Sequence, residues 1–96
     1  MDTKGFACSV SAVFSSVFLK EYKAKDGTQK TIYQIEIQNP FAFRNEERYL
    51  YFSATENLYR ELLKIQDTLR GKAVNLVGLL SYSFGKYSFR ASQLKQ

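Results

Sequence analysis

The sequence predicts an all-β protein carrying one helix, and three observations carry that reading. Five stretches have strand character, at about residues 6–22, 30–38, 48–52, 72–82 and 87–94. Between the third and fourth, Leu58, Leu62, Ile65 and Leu69 recur at helical spacing. Start and stop signals bracket that helix: Ser53-Ala-Thr-Glu56 reads as a capping box, and Gly71 stands where a helix should end.

In the first strand Phe6, Cys8, Val10, Ala12 and Phe14 alternate with Ala7, Ser9, Ser11 and Val13. At Ser15-Ser16 the phase slips, and Val17 and Leu19 become the set expected to be buried. A bulge that bends one long strand into both halves of a barrel fits this slip, and so do two short strands. Lys25-Asp26-Gly27-Thr28 is a hairpin turn, because glycine there permits positive φ. The second strand, about Lys30 to Gln38, sets Tyr33, Ile35 and Ile37 against Ile32, Gln34 and Glu36. Asn39-Pro40 ends it, since proline cannot donate to a ladder. Phe41-Ala-Phe-Arg44 fits either a loop or an extension of the hairpin.

The third strand, about Arg48 to Phe52, alternates Leu50 and Phe52 with Tyr49 and Tyr51. The helix, about Ala54 to Arg70, turns its apolar stripe to a core and leaves Asn57, Arg60, Glu61 and Lys64 in solvent. The fourth strand, about Lys72 to Tyr82, is apolar on both faces; Gly78 within it marks a sharp bend or a close backbone approach. Ser83-Phe84-Gly85-Lys86 is a second hairpin turn, and Tyr87 to Leu94 closes the sheet. Tyr33, Phe52 and Phe89 read as core aromatics.

One helix between the third and fourth of five strands is the order of an OB-fold barrel, whose usual ligands are oligonucleotides and oligosaccharides. The expected fold is therefore a five-stranded OB-fold barrel, with its helix plugging one open end. Ninety-six residues, 45% of them hydrophobic, suit a single domain over 1–96.

The net charge of +5 favours an anionic partner. Cys8 is the only cysteine and there is no histidine, so neither a disulfide within the chain nor a Cys/His metal site is expected. No cofactor is implied. The residues after Met1 do not resemble a signal peptide, and no apolar run approaches the ~20 residues of a membrane span. The expected compartment is the cytoplasm.

Seven tyrosines and eight phenylalanines are a high share for so small a chain. Bases stack on such rings at roughly 1–3 kcal/mol each while Lys and Arg track the phosphates. Rings and cations interleave in the first hairpin (Phe18, Lys20, Tyr22, Lys23, Lys25, Lys30), the third strand (Arg48, Tyr49, Tyr51) and the last hairpin (Tyr82, Phe84, Lys86, Tyr87, Arg90). In an OB-fold those two hairpins flank the face made by the second and third strands. The expected stacking residues are Tyr49, Tyr51 and Phe84, with Tyr22 or Tyr87. Lys23, Lys25, Lys30, Arg48, Lys86 and Arg90 are the expected phosphate contacts. Phe84 stands apart, because a phenylalanine at a loop tip gains little unless a ligand or a partner subunit covers it.

Catalysis finds little support. Without histidine, acid–base work would fall to carboxylates, lysines or tyrosines. Glu46-Glu47 sit in a polar turn where neighbouring side chains point apart, and no glycine-rich phosphate loop is present. A non-enzymatic binding module is expected.

In size, element order, lysine-bearing first hairpin and aromatic second hairpin, the chain resembles the small single-stranded-DNA-binding proteins of bacteriophages and mobile elements. Ser83-Phe-Gly-Lys-Tyr-Ser-Phe-Arg90 is similar to the closing hairpin of filamentous-phage helix-destabilising proteins. The resemblance implies sequence-tolerant binding of single-stranded DNA during replication or recombination. RNA suits the same residues, since nothing identifies a reader of the 2′-hydroxyl. The short strand track of one barrel makes a homo-oligomer, such as a dimer, attractive. Cellular bacterial relatives recruit enzymes through an acidic tail; the sequence ends Leu94-Lys95-Gln96, so recruitment of that kind is not expected. Two other readings compete. One is a structural or protein-interaction OB module anchored by Phe84, Phe41 and Phe43; the other is a binder of anionic polysaccharide or membrane surface.

Overall fold

A computed structural model describes residues 5–40 and 48–95. The order is β1 (Gly5–Lys23), β2 (Gln29–Gln38), β3 (Tyr49–Ala54), α1 (Glu56–Leu69), β4 (Ala73–Ser83) and β5 (Lys86–Lys95). The expectations for Phe41, Phe43, Arg44, Glu46 and Glu47 lie outside the described residues.

All five strands belong to one sheet that closes on itself in the order β1-β2-β3-β5-β4, with β4 returning to β1. The β1–β2, β2–β3, β4–β5 and β1–β4 ladders are antiparallel. Closure is made by a short parallel pairing of β3 with β5, at Ser53–Arg90 and Ala54–Ala91.

β1 serves two neighbours in turn. Gly5 to Val13 pair with β4, and Phe14 to Lys23 pair with β2. The change falls at a register shift between Phe14 and Ser16, where the sequence slips phase. Of the two alternatives, one strand with a bulge is what forms. Ser15 and Ser16 together oppose Glu36, while Phe14 and Val17 on either side turn inward and are buried.

A bend of this kind disrupts the ladder, and the end of α1 supplies the missing partners. The Phe14 amide donates to the Lys72 carbonyl (2.9 Å), and the Phe14 carbonyl accepts from the Gly71 amide (2.8 Å). Arg70 Nε donates to the Ser15 carbonyl (3.0 Å), and the Val17 amide donates to Gln66 Oε1 (3.4 Å). Gly71 adopts φ +84, the left-handed residue that ends the helix as expected.

Phe14, Ile35, Leu58, Leu62 and Leu76 are fully buried, each contributing about 1.5–3 kcal/mol by leaving water. Leu69, Val74, Phe89 and Ala91 extend the cluster, and Tyr33, Phe52, Leu50 and Tyr59 pack around it. The three aromatics read as core from sequence thus lie in or against the core.

Three details correct the sequence reading. The helix cap is Thr55, whose Oγ1 accepts from the Leu58 amide at 3.3 Å; Ser53 does not cap it. Ser53 and Ala54 are held in the sheet instead, paired with Gln34 and Tyr33 on one side and Arg90 and Ala91 on the other. Leu19 has the inward parity of Val17 yet is exposed, because it pairs with Tyr33, the last β2 residue that still has a β3 partner. Ile65 is also exposed: α1 is rolled so that Gln66 reaches the bulge and Tyr59 meets Tyr33, their ring centroids 4.9 Å apart.

Gly78 marks the close approach expected of it. The β4–β5 register shifts between Val77 and Gly78, leaving Ser92 as the extra residue. A Cβ at residue 78 would lie 2.0 Å from the Arg90 carbonyl oxygen and 2.7 Å from the Ala91 Cα. Both are backbone atoms of the closing strand and cannot step aside. Gly78→Ala is expected to destabilise the fold by roughly 3 kcal/mol or more, beyond an ordinary glycine effect. Urea unfolding would show it; a loss under 1 kcal/mol would contradict the register.

Candidate nucleic-acid interface

Alternation along paired strands decides which side chains share the outer face. Phe18 of β1, Gln34 of β2, Ser53 of β3 and Arg90 of β5 are successive partners in one row across four strands. The next row toward the bulge holds Ser16, Glu36 and Tyr51. Toward the first hairpin lie the pairs Lys20–Ile32 and Tyr22–Lys30, and at the other extreme Gln38–Tyr49. Side chains as distant in sequence as Phe18 and Arg90 therefore meet on one surface.

Three adjoining depressions mark that surface. The largest, about 560 Å³, is lined by Tyr22, Lys30, Ile32, Ser53, Thr55 and Arg90 among others. One of about 300 Å³ shares Ser53 and Arg90 with it and extends to Leu79, Ser81 and Ser88. A third, about 380 Å³, lies where β3 and β5 part beyond their short pairing, between Tyr51–Ser53 and Tyr87–Phe89.

Of the residues predicted from sequence, Tyr22, Lys30, Tyr51, Tyr87 and Arg90 line these depressions. Tyr49 is on the same face but at its far edge. Lys23 and Lys25 stand at the exposed first hairpin, beyond the Ala54 end of β3. Phe84 and Lys86 stand at the second hairpin, at the opposite end, because β3 and β5 run parallel. The two hairpins thus bracket the face along its length. Arg48 is exposed just before β3, and its carbonyl accepts from the Asn39 amide (2.8 Å).

The geometry adds residues outside the predicted contact set. The Phe18 ring meets Tyr51 edge-on with centroids 5.7 Å apart, so the two rings lean together across β2. Lys20 Nζ lies 6.0 Å from the centre of the Phe18 ring. Counting back in steps of two from Tyr22 would have put both on this face. Gln34, Ser53 and Glu36 could be found only with the cross-strand register.

Phe84 is fully exposed and has φ +52, with Gly85 at φ +76 beside it. Both turn residues are left-handed, as a two-residue type I′ hairpin requires. Asn or Gly is the usual occupant; for a bulky aromatic the conformation costs on the order of 1 kcal/mol. At the base of the same hairpin Tyr82 and Tyr87 pack ring against ring, with centroids 4.7 Å apart.

The charge on the face is open. Among the described residues the ion pairs are Glu56–Arg60 and Asp67–Arg70, so Lys30, Lys86 and Arg90 are paired with no described carboxylate, although Glu56 lines the largest depression with Lys30 and Arg90. No cluster of three His, Cys, Asp or Glu residues able to hold a metal occurs among the described residues. No described helix is long and apolar enough to cross a membrane.

In the first hairpin Asp26 is the cap of the turn. Its Oδ1 accepts from the Thr28 amide (2.9 Å), and the Thr28 hydroxyl followed by that amide hold its carboxyl below the ordinary value of 3.8. A depressed folded value means the ionised form supports the turn above the unfolded pKa and the support fades as pH falls through the folded one. The Thr28 amide resonance should titrate with a midpoint below 3.8; a midpoint at or above it would remove the bond from the account. A comparison of the chain with known protein families, curated proteins and solved structures finds no match.

Proposed function

We propose that this chain is an OB-fold module that binds single-stranded DNA with little regard to sequence, in a reducing compartment such as the cytoplasm. Such binding would protect transient single strands during replication or recombination. One observation carries the reading: a single register row and its neighbours gather Tyr22, Phe18, Tyr51, Lys20, Lys30 and Arg90 from four strands onto one recessed face. Flat rings give bases a surface that any base can use, and cations around them that pair with no described carboxylate suit phosphates. A closed five-stranded sheet with its one helix between the third and fourth strands supports the OB-fold reading, and OB-folds bind oligonucleotides on the strand two–three face and the loops beside it.

The strand would lie across β2 and β3, bases toward Tyr51 and Tyr22 and phosphates toward Lys30 and Arg90. Lys23, Lys25, Arg48, Tyr49, Phe84, Lys86 and Tyr87 would contact it from the rim and hairpins. Phe84 favours a ligand-facing role, since the fold gains nothing from a strained, fully exposed ring.

Oligo-dT titration followed by tyrosine fluorescence tests this, with log affinity falling against log salt at a slope of about −3 for roughly four phosphates. Dissociation constants weaker than about 100 μM at low salt would reject it. Tyr51→Ala should weaken binding by about 1–3 kcal/mol, the worth of one stacked base.

Phe84→Asn separates the competing reading. Asn accepts left-handed φ, so the fold should gain up to about 1 kcal/mol while oligonucleotide binding weakens. Unchanged binding with loss of a stable oligomer would instead favour a protein-interaction module.

A further inference from the structure

Among the described residues Glu36 is the carboxylate that the strand rows place beside Tyr51, whereas Glu56, at the start of α1, lines the largest depression and is paired with Arg60. The outward position of Glu36 is fixed by its partners: Ser16 across β1 and Tyr51 across β3, with Ile35 and Ile37 on either side buried in the core. The side chain is half-buried. The Ser15 hydroxyl donates to Glu36 Oε1 at 3.1 Å, and Glu36 forms no ion pair with a described cation.

This arrangement is costly for a purely structural group. Among the described residues a carboxylate taken partly out of water is offset by one neutral hydroxyl, and one oxygen has no described hydrogen-bond partner. Glutamate is also a poor strand residue, whereas valine or threonine in the same place would suit a pleated surface. In a chain of net charge +5, a carboxylate placed between rings repels phosphates and turns only N–H donors toward itself.

Resting on the single-stranded-DNA reading above, we infer that Glu36 reads the edge of the base stacked on Tyr51, giving this one position a preference for guanine. The chemistry of the base edges makes the choice. Guanine presents two adjacent donors, N1–H and the N2 amino group, which match the two oxygens of a carboxylate. Cytosine and adenine offer one exocyclic amino group beside an acceptor. Thymine offers N3–H between two carbonyl oxygens, both repelled by a carboxylate. Binding stays tolerant elsewhere along the strand, and the order at this position is guanine, then cytosine and adenine, then thymine.

The bulge shapes the reader. Two residues opposite one place the Ser15 hydroxyl beside Glu36 Oε1, fixing the side chain's rotamer. The bonded oxygen retains a second lone pair for the base.

The test is competition between a dT 12-mer and the same oligomer carrying one central guanine or one hypoxanthine, which lacks only the 2-amino group. The wild-type protein should prefer the guanine oligomer about fivefold, and hypoxanthine should lose most of that gain, since one good base-edge pair discriminates by about 1–3 kcal/mol. Glu36→Gln should abolish the preference, because a neutral amide that both donates and accepts no longer selects the paired N1–H and N2 donors of guanine. Equal wild-type affinity for the three oligomers would overturn the inference and leave single-strand binding standing. No binding to any of them would reject both. The wild-type comparison needs no variant, and a melting curve shows whether Glu36→Gln is folded.

Discussion

The structure depends on how the break in β1 is satisfied. A strand of nineteen residues that serves β4 first and β2 afterwards must turn sharply, and turning takes its amides and carbonyls out of register. Each such group left buried and unpaired costs about 1–3 kcal/mol. Four of them, on Phe14, Ser15 and Val17, find partners in residues 66–72 alone. The helix is therefore more than a plug of Leu58 and Leu62. Its last turn completes the hydrogen bonding of the bend that lets the sheet close. That requirement also sets the helix's rotation, which brings Gln66 inward and leaves Ile65 outside.

The same bend builds the outer face. Without the extra residue, the parity of β1 beyond Phe14 would invert, sending Phe18, Lys20 and Tyr22 inward and Val17 outward. With it, those three side chains share a surface with Tyr51 and Arg90, and Ser15 arrives beside Glu36. Closure and the ring-and-cation face thus have one cause. A chain that lost the bulge would lose both together.

This explains which features were legible in the sequence. The slip at Ser15-Ser16 is visible because it interrupts a clean period of two, Gly71 because it follows the last apolar residue of the helical stripe, and Gly78 because it breaks an apolar strand. Ser53 misled because Glu56 follows it at capping-box spacing, while Thr55 lacks such an acid. The deciding fact is nonlocal: the sheet can close only if Ser53 and Ala54 stay extended to meet Arg90 and Ala91. Leu19 and Ile65 have the right period and the wrong surroundings, which no periodicity records. Glu36 is the clearest omission, since its meaning comes from Ser15 and Tyr51, on two other strands.

The places where local preference yields also bear on function. Isolated exposed apolar residues such as Leu63 are ordinary on a small protein. A left-handed phenylalanine, a carboxylate with one described neutral partner, and tyrosines open to solvent are not ordinary, and Phe84, Glu36, Tyr22, Tyr51 and Tyr87 lie on or around one face. The helix shows no such departure: it is capped by Thr55, Glu56 and Asp67 are paired within it, and no described buried side-chain polar atom of the protein lacks a partner. Departures that sequence and fold do not require tend to collect where a ligand will sit. Strain at Phe84 and the desolvation of Glu36 are small separately. Gathered around one recessed, positively charged surface, they are the features that the proposed ligand, an extended anion carrying flat, hydrogen-bonding groups, would use together.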